Sequence, residues 1–122
     1  MLEKGLMDKV LEAQRNEISE NIIYSRLAGF LKDENKAAIL RGIAGDELAH
    51  YKFWKTLSGQ DVQPDTFKVN FFVFISRVFG LTFGLKLLEK GEDLAQDAYE
   101  KIKAVAPEVE KIIRDEGRHE NE

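Results

Sequence analysis

Apolar side chains recur at steps of three and four over the first 32 residues, which is the period of an α-helix. The pattern predicts a helix over about residues 2–32, with this core stripe: Leu6, Val10, Ala13, Glu17, Glu20, Tyr24, Ala28 and Leu31. The stripe is apolar at both ends and carries carboxylates in its middle. Because a buried carboxylate is costly without a partner, Glu17 requires one.

A second helix is predicted over residues 34–58, with Asp33 as a candidate N-cap. A polar pair again occupies the centre of an apolar seam, which comprises Leu40, Ile43, Glu47, His50, Trp54 and Leu57. Residues 58–66 combine Ser, Gly, Asp and Pro and therefore predict a loop.

Residues 67–79 are rich in aromatic side chains. A continuous helix over residues 67–103 would be about 55 Å long, which is too long for a domain of this size. We therefore expect a break near Gly80, with a crossover helix before it and a third bundle helix over about residues 81–104. A membrane span over residues 71–88 is the alternative interpretation, but Arg77 and Lys86 interrupt it.

The third and fourth helices are predicted to carry the same feature as the first two. The third has the stripe Leu81, Leu85, Leu88, Glu92, Ala95, Tyr99 and Ile102. Pro107 suits the first turn of a fourth helix, because its missing N–H is not needed there. That helix has the stripe Val109, Ile112, Glu116 and His119. We thus expect an all-α four-helix bundle, whose short crossover helix lets helices two and three run parallel.

Two copies of the motif Glu-x-x-His occur, Glu47 with His50 and Glu116 with His119, and they use both histidines of the chain. Residues three apart lie on one face of a helix, so each motif presents a carboxylate and an imidazole to the same point. Two such motifs, with a lone Glu on each of the other two helices, form the ligand constellation of di-iron and di-manganese bundles.

The two halves of the chain also repeat a second pair. Glu17 is followed seven residues later by Tyr24, and Glu92 seven residues later by Tyr99. Seven residues are close to two helical turns, so each Tyr lies on the face of its Glu. The repeat predicts a two-fold pseudo-symmetric site.

Composition narrows the chemistry. The 122 residues suit one domain. The net charge of −4 gives no reason to expect nucleic-acid binding, because no basic face emerges from the sequence. The absence of cysteine from the sequence excludes disulfides and thiolate metal sites, which leaves carboxylate and imidazole ligands for hard metals. No nucleophile with a base, and no glycine-rich phosphate loop, is visible. The amino terminus does not resemble a signal peptide, and we expect a cytoplasmic protein.

These motifs resemble those of the rubrerythrin family of the ferritin-like di-iron superfamily. The resemblance implies six metal ligands: Glu17, Glu47, His50, Glu92, Glu116 and His119. The Glu of each Glu-x-x-His motif would bridge or flank two metal ions, the other two Glu would be terminal ligands, and each His would bind one metal. Tyr24 and Tyr99 would donate hydrogen bonds that orient carboxylates on neighbouring helices.

The chain departs from that family in two respects. It lacks the cysteines of a rubredoxin domain, and it has Ala95 where classical rubrerythrins have an additional Glu. Its own additional stripe carboxylate is Glu20, three residues after Glu17. We therefore predict Glu20 as a seventh ligand.

A narrower resemblance involves residues 79–92, which are similar to rubrerythrin-type domains that precede vacuolar-iron-transporter-type membrane domains. The sequence ends three residues after His119. We expect a single domain over residues 1–122, either excised from a longer, membrane-associated chain or belonging to a shortened relative.

The resemblance implies a site for two iron ions, with manganese as the alternative, that oxidises Fe(II) with dioxygen or hydrogen peroxide. Turnover with any donor other than iron would need an external electron donor. Two alternatives stay open: a cytoplasmic iron-binding or iron-sensing domain serving a membrane transporter, and a metal-free helical bundle. The aromatic crossover helix also predicts a homodimer.

Overall fold

The computed structural model describes residues 3–90, which are helical apart from short connections. Helix α1 spans Lys4–Phe30, α2 spans Glu34–Ser58 and α3 spans Thr66–Phe79. A further helix, α4, is described over residues 81–90. The predictions of a long first helix, a second helix over residues 34–58, a loop, a short crossover helix and a break near Gly80 are confirmed. The rest of the predicted third bundle helix and the fourth helix from Pro107 lie outside the described residues.

The helix ends follow from local chemistry. Asp33 is the N-cap of α2, as predicted, and its Oδ1 accepts hydrogen bonds from the backbone N–H groups of Asn35 and Lys36 at 2.9 and 3.2 Å. Gly59 ends α2 in the left-handed conformation, with φ 68°, and Gly80 follows α3 with φ 102°. These positive φ angles favour glycine, which explains why both breaks coincide with glycines.

Helix α1 packs along α2 and, over a shorter length, against α3. An apolar cluster fills one end of this arrangement: Ile23, Tyr24, Leu27, Ala28, Ala37, Leu40, Ile43, Ala44, Val69 and Leu88. Trp54 is also fully buried, in agreement with its prediction as a core residue. Between Trp54 and the apolar cluster, the α1–α2 interface contains ionisable side chains.

The connection between α2 and α3 is fixed to α1 by polar contacts. The Ser58 hydroxyl donates to Gln14 Oε1 at 2.6 Å, and Gln14 Nε2 donates to the Gln60 carbonyl at 2.7 Å. The backbone N–H of Asp65 donates to Ser19 Oγ at 2.8 Å. The start of α3 therefore has a defined position against the middle of α1.

Helices α3 and α4 approach closely at one point. A Cβ atom added to Gly84 would lie 2.8 Å from the Cβ atom of Ser76, so a larger residue at position 84 would force the helices apart. At the same end of the structure, the Arg77 guanidinium lies 4.3 Å from the centre of the Phe30 ring. These contacts connect the carboxyl end of α3 to α4 and to α1.

The outer side of α3 is apolar. Phe67, Phe71, Phe74 and Val78, which we call the aromatic face, are between 40 and 81% exposed. Their spacing of four, three and four residues places them along one side of the helix. No helix within residues 3–90 has the length and apolar character to cross a membrane, and the break at Gly80 divides the stretch that the alternative interpretation assigned to one span.

Candidate metal centre

Helices α1 and α2 bring three ionisable side chains to one buried point. Glu17 lies in the middle of α1, and Glu47 and His50 lie one turn apart in the middle of α2. Both glutamates are fully buried, and His50 is 3% exposed. The helical period placed each of these residues on the core stripe of its helix. The two core stripes pack against each other, which brings the three side chains together.

His50 is central to the geometry of this group. Its Nδ1 atom lies 3.1 Å from Glu17 Oε2 and 3.6 Å from Glu47 Oε1. One ligand atom from each of the three residues lies within 4.8 Å of the other two. The Nδ1 edge of the ring thus faces both carboxylates, across helices to Glu17 and within α2 to Glu47.

These separations suit a shared metal ion. Metal–oxygen and metal–nitrogen bonds of about 2.1 Å place neighbouring ligand atoms about 3.0 Å apart at right angles and about 3.4 Å apart at tetrahedral angles. The distances from His50 Nδ1 to the two carboxylates fall close to that range. Carboxylate and imidazole ligands bind iron, manganese and zinc, so the ligand types do not select one metal.

Burial gives this group a reason to hold a cation. Removing a carboxylate from water costs several kcal/mol unless an opposite charge and hydrogen bonds compensate. Two carboxylates share this site, and a bound divalent cation would balance their combined charge. The helices are held together beside the site by Asn21, whose Nδ2 atom donates to the carbonyl of Ala44 at 2.8 Å.

Glu20, the predicted seventh ligand, is buried but lies in a different contact. Its Oε1 atom is 3.5 Å from Lys68 Nζ, and its side chain is 6% exposed. It does not belong to the group formed by Glu17, Glu47 and His50. Its role as a ligand stays a prediction.

The second half of the predicted site falls outside the described residues. This applies to the ligands Glu92, Glu116 and His119 and to the predicted hydrogen-bond donor Tyr99. Tyr24 is described and is only 2% exposed, on the same side of α1 as Glu17. Its proposed role as an orienting donor stays a prediction.

Two polar residues near the site were not anticipated from the sequence. Gln14 is fully buried one turn before Glu17, where it joins α1 to the connection after α2. Lys68 reaches Glu20 from α3. A sequence signal existed for Lys68, because it and Arg77 are the only charged residues in the otherwise apolar and polar-neutral α3 sequence.

Comparison with known proteins gives no relative: no family description, curated protein or solved structure matches the chain. The assignment of a function therefore depends on the site itself and on the sequence motifs.

Proposed function

We propose that this chain is a ferritin-like, rubrerythrin-type di-iron protein that binds Fe(II) and oxidises it with dioxygen or hydrogen peroxide. One observation carries the proposal: Glu17, Glu47 and His50 converge in the buried interface of α1 and α2. A carboxylate from one helix and a Glu-x-x-His pair from its neighbour are half of the ligand set of a di-iron bundle.

The sequence repeat supplies the other half of the proposal. Glu92 corresponds to Glu17, and Glu116 with His119 corresponds to Glu47 with His50. The repeat would produce the same contact between the predicted bundle helices over residues 81–104 and from Pro107 onward. The two half-sites would then share one centre. Such a centre would hold two metal ions with four carboxylates and two imidazoles.

The described residues have distinct tasks in this proposal. Glu17 and Glu47 would balance the charge of the cation in a region that excludes water, and His50 would bind through Nδ1, the atom that faces them. Ligation requires both carboxylates to be ionised and the imidazole to be neutral, so metal binding should weaken in acid. Apolar packing beside Ile43 and Trp54 would limit access of water.

The reaction balances with iron as the electron source. With hydrogen peroxide as the oxidant, two Fe(II) substrate ions would each lose one electron, and the peroxide would take up two protons and leave as two water molecules. Oxygen-rich ligation favours the ferric product, because hard ligands prefer the more highly charged ion. Repeated turnover would require fresh Fe(II) or an external electron donor.

The experiment that tests this function is stopped-flow oxidation of Fe(II). The chain is loaded anaerobically with Fe(II), mixed with hydrogen peroxide or dioxygen, and followed by the absorbance of ferric iron. We expect oxidation at least about tenfold faster than in buffer, since positioned ligands that favour the ferric state lower the barrier. The expected rate is lost in Glu17→Gln and retained in Glu12→Gln, whose side chain is exposed on the same helix.

Two outcomes would change the conclusion. Oxidation at the rate found in buffer, with Fe(II) nevertheless bound, would contradict the enzymatic function and favour the alternative of an iron-binding or iron-sensing domain that serves a membrane transporter. An oxidation rate in Glu17→Gln equal to that of the wild type would show that Glu17 is not a ligand of the iron that is oxidised.

A further inference from the structure

The contact between Glu20 and Lys68 connects α3 to the candidate metal centre. Glu20 lies three residues after Glu17, so the two carboxylates occupy one face of α1, about 4.5 Å apart along its axis. Glu20 is buried, and the basic residue Lys68 reaches it, with Nζ 3.5 Å from Oε1. A positive charge from a different helix, α3, thus contacts the predicted seventh ligand.

The position of Lys68 is fixed by hydrogen bonds rather than by its side chain alone. Ser19, next to Glu20 on α1, accepts a hydrogen bond from the backbone N–H of Asp65 at 2.8 Å. Asp65 is the N-cap of α3 and accepts from the backbone N–H of Lys68 at 3.0 Å. The first turn of α3 is therefore held beside Ser19 and Glu20, and the ammonium group of Lys68 has a short path to Glu20.

The Glu20–Lys68 contact is of a kind that can exchange. A separation of 3.5 Å is long for a charge-assisted hydrogen bond, which is usually 2.7 to 2.9 Å. The Lys68 side chain is 23% exposed, so its ammonium group can turn to water without being buried unpaired. The Glu20 carboxylate is buried, so a loss of the Lys68 contact would favour its pairing with another cation.

We propose that Lys68 is a positioning residue: its ammonium group holds the Glu20 carboxylate away from the metal centre and releases it to become a ligand when a metal ion binds. This inference rests on the proposed function of the site. Two cations, the ammonium group and the metal ion, compete for one buried carboxylate. Lys68, at the start of α3, thereby determines how many carboxylates bind the metal ion.

The test is a double-mutant cycle with Co(II), titrated into the whole chain by competition with a chelator. Lys68→Met removes the charge and retains most of the side chain's length. We expect it to raise Co(II) affinity about tenfold, within the usual range of coupling between two linked equilibria. In Glu20→Gln the same substitution should change affinity by less than about twofold, because the residue that couples them is gone.

Visible absorption of bound Co(II) provides a second readout that does not depend on activity. A further carboxylate ligand raises the coordination number, which lowers the intensity of the Co(II) bands. We expect weaker bands in Lys68→Met than in the wild type, and wild-type bands in Lys68→Arg, which keeps the charge. Lys52→Met is the matched control, because it removes an exposed lysine charge from α2 and should leave affinity and spectrum unchanged.

Three results would overturn the inference. An equal rise in affinity with and without Glu20 would show a general effect of net charge, and unchanged affinity and spectrum in Lys68→Met would show that Lys68 has no influence. In both cases the metal centre would still stand. If neither the wild type nor Lys68→Met binds Co(II), the proposed function fails together with this inference.

Discussion

The interface of α1 and α2 and the outer side of α3 both depart from the usual distribution of side chains. The interface buries ionisable side chains, and the outer side of α3 exposes apolar ones. The interface buries Glu17, Glu47 and His50, whereas the aromatic face exposes Phe67 at 81% and Phe74 at 61%. Fully buried glutamates are rare unless they are paired, and contiguous exposed apolar patches commonly mark interaction surfaces. The two regions therefore differ in the chemistry that each could bind: the buried group of Glu17, Glu47 and His50 could hold a cation, and the outer side of α3 offers an apolar surface.

The two departures also differ in energy. A buried charge costs several kcal/mol per ion before compensation, whereas an exposed Phe forgoes about 1.5 to 3 kcal/mol of burial. Compensation of the interface should consequently have the larger effect on the stability of the fold. The predictions below use this difference.

The largest expected effect is stabilisation by metal. A ligand present at about 100 times its dissociation constant adds about 2.7 kcal/mol to the free energy of unfolding, which corresponds to about 10 °C in Tm for a chain of 122 residues. Thermal unfolding followed by circular dichroism, with and without Co(II), measures the shift. Glu47→Gln should abolish most of it, and Glu12→Gln should retain it. An unchanged Tm at saturating Co(II) would mean that the buried group is not a cation site.

A smaller effect is expected from the aromatic face, where the homodimer remains a prediction. Standard interfaces bury about 800 Å² per partner, so the face would need its apolar neighbours, such as Phe79, which is 64% exposed. We expect a dimeric mass at micromolar concentration by sedimentation equilibrium. Phe74→Glu should weaken the dimer at least about tenfold, because it places a charge within the apolar contact.

The matched control for the dimer is Ile39→Glu, which introduces the same charge at a half-exposed apolar position on α2. It should leave the mass unchanged. A monomeric mass for the wild-type chain would contradict the predicted homodimer. It would not affect the metal centre, which keeps the two regions separable.

The sequence predicted those parts of the fold that depend on one helix at a time. The boundaries of α2 follow from Asp33 and Gly59, and the break after α3 follows from Gly80. The pairing of Glu47 with His50 follows from their spacing within one helix. The approach of Glu17 could be anticipated because all three residues lie in the centres of their apolar stripes.

Other contacts depend on how helices meet and could not be read from periodicity. Lys68 contacts Glu20 only because α3 lies across α1, and Gln14 is buried only because the connection after α2 folds back on it. The break at Gly80 has a chemical signal in the sequence, but the close approach at Gly84 does not. Long-range polar contacts of this kind require the tertiary arrangement.

The most direct test of the metal centre is the stoichiometry of iron after anaerobic loading with Fe(II) and removal of loosely bound metal. We expect two iron ions per chain in the wild type, because each half of the repeat would supply ligands for one ion. Replacement of His50 by Ala should lower the number of bound iron ions. Two ions would support the dinuclear site and make the choice of oxidant the next question. One ion per chain, or none, would contradict the dinuclear site.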